Sequence, residues 1–151
     1  MNKAILLLCL LWVSPAAFGF ECYGPDKYQW SLKQNYEKAD SVFFGQVIYG
    51  TSLPEDSSVK FEVVVNLAVK GNAAGHMSLS TGKSFLYPPK ELAGYYLFFL
   101  YGDREIGACE PIYNIGFEVN SIEALNLLSE RKDLEISQVL SEIASYINSR
   151  P

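Results

Sequence analysis

In 151 residues the chain has one histidine, three cysteines and two methionines, and positive charge is in the minority. A lone His76 excludes every metal site that needs two imidazoles and leaves a single imidazole base for any nucleophilic triad. A Ser-His-Asp set can be written with Ser78 or Ser80, yet neither serine sits in a Gly-x-Ser-x-Gly elbow. Phosphate-cradling glycine loops, calcium loops and Cys/His clusters are also missing. Twelve Lys and Arg face 17 Asp and Glu, a net charge of −5, and no basic cluster stands out. Such a chain lacks the electrostatic footprint for nucleic acid or an anionic membrane surface. It has no low-complexity tract, internal repeat or block of like charge.

The one long apolar run is at the front. After Lys3, Ala4 to Val13 is unbroken, but it is shorter than the roughly 20 residues needed to span a bilayer. Ser14-Pro15 ends it, and Ala17 and Gly19 occupy the −3 and −1 positions of a cut before Phe20. Residues 1–19 therefore read as a secretory signal peptide, which predicts export to the periplasm or beyond without stable membrane insertion. Glu21 is not the small residue that a lipoprotein signal places before its cysteine. The remaining 132 residues are enough for one domain with a real core, expected as a barrel over 20–120 with helices packed on it over 121–151.

Cysteine arithmetic follows from the same cut. Cys9 leaves with the signal, and Cys22 and Cys109 remain. Two cysteines in an oxidising compartment read as one disulfide. Closing a loop of roughly ninety residues is worth about 4–5 kcal/mol in the chain-entropy model. Reactive thiols are the weaker reading, because neither cysteine lies in a Cys-x-x-Cys motif or beside a histidine.

The mature chain starts with a Gly24-Pro25 loop, and Leu32, Tyr36 and Ala39 then predict a short helix over Ser31 to Ala39. Ser41 to Tyr49 reads as a strand bent at Gly45. Beyond a turn at Pro54 to Ser58, the residues Val59, Phe61, Val63, Val65, Leu67 and Val69 alternate with a mainly polar set, which predicts a long strand with one apolar face. Further strands are expected at His76 to Thr81, Tyr95 to Tyr101 and Ile112 to Val119. The segment Tyr95 to Tyr101 is apolar on both faces, so its outer side must be covered. Ser121 and Asp133 are positioned to cap two amphipathic helices. The fold class expected is mainly β (α+β): a five-stranded OB-like Greek-key barrel with a short N-terminal helix and C-terminal helices. A β-sandwich, the main rival, usually needs about seven strands.

Two of these elements carry a family resemblance. Ala39-Asp40-Ser41-Val42-Phe43-Phe44-Gly45-Gln46-Val47 and the strand that closes on Val69-Lys70-Gly71, between an early and a late cysteine, resemble the netrin-like modules. That family includes the tissue inhibitors of metalloproteinases and short secreted bacterial relatives. The resemblance spans roughly residues 22 to 110 and implies an OB-like barrel. In the inhibitors a mature N-terminal Cys-x-Cys chelates the protease zinc through the amine and carbonyl of its first cysteine. Here Phe20 and Glu21 precede Cys22, and position 24 is glycine.

For function, the paired acids Asp103 and Glu105 around Arg104, and Glu55-Asp56, read as solvated turns rather than acid–base machinery. Aromatics are plentiful, with ten tyrosines in the chain. Tyr23, Tyr28 and Trp30 lie near Cys22, and Phe85-Leu86-Tyr87 precede Pro88-Pro89. The bland alternative is that these residues plug the barrel ends. The leading expectation is a monomeric, non-enzymatic binding module without cofactor or metal, meeting an unknown protein partner through Tyr23, Gly24, Phe85, Leu86 and Tyr87. The alternative is metalloprotease inhibition by the Cys22 ridge. Intact-mass measurement of the exported protein should show a chain starting at Phe20 with no free thiol. A chain starting at Cys22 would restore the chelating amine instead.

Overall fold

The computed structural model describes residues 31–53, 58–81, 93–102, 105–106 and 112–149. The signal segment, Cys22 and Cys109 lie outside the described residues. Helix α1 (Leu32–Lys38) begins where expected, because Ser31 Oγ accepts from the Gln34 amide at 3.3 Å while Gln34 Oε1 accepts from the Ser31 amide at 2.9 Å. This reciprocal box satisfies two of the donors that a helix start leaves unpaired.

Strands β1 (Ser41–Leu53), β2 (Ser58–Lys70), β3 (His76–Thr81), β4 (Tyr95–Leu100), β5 (Glu105–Ile106) and β6 (Ile112–Asn114) form one sheet in the order β5-β3-β2-β1-β4-β6. All pairings are antiparallel except β3 with β5. Helices α2 (Ile122–Ser129) and α3 (Ser137–Asn148) complete a mainly β, α+β fold.

The register shows that this sheet is rolled. Leu100 pairs with Ser41, whereas Glu105 pairs with Ser80, which lies level with Lys60 and Thr51. In a flat sheet those two points would be four strand spacings and ten residues apart, roughly 38 Å. The link through residues 101–104 can span at most about 18 Å. A second measure agrees. Phe61 sits level with Gly50 and Phe98 with Phe43, yet their rings lie 6.4 Å apart. Only strong coiling brings them together.

Three irregularities in the β1–β2 ladder, at Val69, Asn66 and Ile48, supply local coil. The one at Asn66 corrects the sequence reading of β2. Val59, Phe61, Val63 and Val65 face the inside of the roll, but Leu67 and Val69 pack on the outside. One extra residue reverses the alternation, so the six apolar positions serve two cores. The inner core holds Phe43, Val47, Phe61, Val63, Leu79, Tyr96 and Phe98, with the Phe43 and Phe98 rings stacked 5.1 Å apart. Burying each of these phenylalanines contributes roughly 1.5–3 kcal/mol.

The outer core explains how β4 can be apolar on both faces. Leu97 and Phe99, with Val42 and Phe44 of β1, are covered by Tyr36 and Ala39, by Leu125 of α2 and by Leu140, Ile143 and Ala144 of α3. Two other expectations need correction. The strand expected over Ile112 to Val119 stops at Asn114; buried Ile115 still donates its amide to the Tyr95 carbonyl, Val119 is buried outside the ladder, and Gly116 has a positive φ. Asp133 does not cap α3. Its carboxylate is bound by the Arg131 guanidinium, and the helix starts a turn later without a side-chain cap.

The resemblance-bearing elements meet at one junction. Lys70 Nζ donates to the carbonyls of Tyr36 at 2.8 Å and Glu37 at 2.7 Å, satisfying acceptors that the end of α1 leaves open. Tyr36 donates from its hydroxyl to the Val69 carbonyl, and buried Asn35 accepts from the Tyr101 hydroxyl at 2.6 Å. Asp40 donates its amide to Leu100 and accepts from the Gly102 amide. Gly71, at φ +76, lies so close to Asp40 and Ser41 that a Cβ would overlap the Asp40 carbonyl.

Gly71→Ala should therefore cost about 2–4 kcal/mol in urea unfolding, from left-handed strain plus overlap. Gly75→Ala, strained at φ +60 but with nothing within 4 Å of its Cβ, should cost only about 1–2 kcal/mol. Equal losses would show that the contact with Asp40 is unimportant.

Candidate functional site

All seven residues singled out from the sequence for a site or a staple, Cys22, Tyr23, Gly24, Phe85, Leu86, Tyr87 and Cys109, lie outside the described residues. So do Glu55, Asp56, Asp103 and Arg104, whereas Glu105 pairs with Ser80 in the ladder. The described surface has two places where chemically distinctive side chains gather.

The first is the outward face of β1, β2 and β3. The helices cover only the Val42–Phe44 end of the rolled sheet's outside. Beyond it run three cross-strand rows: Gln46, Val64 and His76; Tyr49, Glu62 and Ser78; Thr51, Lys60 and Ser80. Neighbours within a row are roughly 4.5–5.5 Å apart at Cα, so each row spans about 10 Å. Gln46 marks the boundary, donating through Nε2 to the Ala93 carbonyl at 3.1 Å.

Tyr49 is on this face because of the irregularity at Ile48. Strict alternation from Phe43 through Gly45 and Val47 would turn Tyr49 inward. The extra residue pairs Tyr49 with Glu62 instead and leaves Tyr49 57% and Ile48 44% exposed. Bulges commonly re-aim a side chain in this way near functional sites. Sequence reasoning missed Tyr49, since nothing in the run Val47-Ile48-Tyr49-Gly50 marks where the extra residue falls.

Chemically the face offers an amphipathic ring, an imidazole, one ammonium, one carboxylate, a side-chain amide and several hydroxyls. His76 is exposed on the same face as Ser78 and Ser80, and no hydrogen bond joins it to either. Among the described residues, no three His, Cys, Asp or Glu gather to hold a metal ion. No helix among them is long and apolar enough to cross a membrane.

No protein-family model matches the chain, and no curated protein does either.

The second gathering is the seam between α3 and the sheet. Glu142 accepts from the Tyr146 hydroxyl at 3.0 Å and from Gln138 Nε2 at 3.2 Å. Tyr146 also packs on Tyr36 with ring centres 5.2 Å apart, and Tyr113 meets Phe99 edge-on. Removal from water, then the Glu142 hydrogen bond and charge, pushes the Tyr146 phenol up to about 12. Burial and the same carboxylate raise Tyr113. Both shifts favour the neutral phenols, as suits a packed joint between α3 and the sheet.

That joint has a pH signature. A phenol whose folded value is raised gives stability that is complete below the ordinary value near 10 and is lost as pH climbs through about 12. Absorbance titration should show Tyr146 and Tyr113 ionising late, together with the onset of alkaline unfolding. Tyr146→Phe should shrink that late step; an unchanged profile would contradict the hydrogen bond to Glu142.

Proposed function

We propose that this chain is an exported, non-enzymatic binding module built on an OB-type barrel of the netrin-like kind, with a protein as its partner. The ladder order supports the barrel: one stretch of chain, 105–114, pairs at its start with β3 and at its end with β4, as closure of a small Greek-key barrel requires. The observation that carries the function is Tyr49. A ladder irregularity turns a tyrosine out of the core onto the β1–β3 face, and OB barrels characteristically bind ligands on the β2–β3 face and its adjoining loops. Tyrosine is well suited to such a place, since a rigid ring with a polar tip anchors a protein contact at low entropic cost.

The Cys22 ridge with Tyr23 and Gly24, and the segment Phe85-Leu86-Tyr87, are proposed as further parts of the contact surface. Export rests on the signal-like residues 1–19, and the Cys22–Cys109 bridge on cysteine arithmetic in an oxidising compartment.

Site-specific photo-crosslinking in the exporting cell tests this reading. A photoreactive residue at position 49 or 85 should give a discrete adduct with a single protein. The same probe at Leu127, 69% exposed on α2, should give none. Absence of an adduct at both test positions, or equal labelling at Leu127, would overturn the proposal. Tyr49→Ala should weaken the adduct formed at position 85 several-fold while leaving the free energy of unfolding in urea within about 0.5 kcal/mol of the parent, as is usual for an exposed position.

A further inference from the structure

We draw no further inference here: the strongest candidate, the outward face of β1, β2 and β3 around Tyr49, Glu62 and His76, belongs to the site already described, and nothing in the structure shows which molecule covers it.

Discussion

The short link between β4 and β5 is the constraint on which the remaining architecture depends. Four residues must carry the chain from the level of Ser41 on β1 to a pairing with Ser80 at the opposite side of the ladder. The sheet can meet that demand only by rolling, and rolling divides every strand into an inside and an outside. The inside is filled by phenylalanines of β1, β2 and β4, of which Phe61 and Phe98 would be far apart on a flat sheet. The outside of β1 and β4 then needs a cover, and α1, α2 and α3 provide it. Core composition, helix placement and the uncovered face all follow from one connection.

The junction around Lys70 shows how a strand end and a helix end can solve each other's problems. The last carbonyls of α1 need donors, and Lys70 supplies them at the end of β2. The chain must then turn tightly past Asp40 and Ser41, where only a residue without a Cβ fits, and Gly71 is there. Asp40 in turn holds the exit from β4 through Leu100 and Gly102. Asp40, Lys70 and Gly71, together with Asn35, Tyr36 and Tyr101, thus tie α1 to the sheet.

Much of this order is legible in the residues before any coordinates. The alternation over Val59 to Val69 locates β2, the spacing of Leu32, Tyr36 and Ala39 locates α1, the Ser121 cap locates α2, and the doubly apolar Tyr95 to Tyr101 requires a cover, which the helices provide. Alternation cannot show a bulge, because an extra residue leaves the one-dimensional pattern intact while rotating everything after it. That is why Leu67 and Val69 appear to share a face with Val65 and do not. The pair Glu105–Ile106 escapes for another reason: two residues carry no period, and their pairing is set by the roll of the whole sheet. Asp133 fails as a cap because Arg131, two residues earlier, offers its carboxylate two charged donors close by.

The same blindness to bulges hid Tyr49, and it gives that residue its meaning. A regular β1 would have sent Tyr49 into the inner core beside Val47, where an aromatic ring is worth a few kcal/mol of burial. The ladder instead accommodates an extra residue at Ile48, and two large apolar side chains face solvent as a result. The irregularity at Ile48 adds coil alongside those at Asn66 and Val69. The outward turn lies on the half of the sheet that the helices leave bare, next to Glu62 and Lys60, whose charges keep the surface soluble around it. A ring that a regular strand would have buried is thereby offered to solvent on this half of the sheet, and the proposed protein contact rests on that exposure.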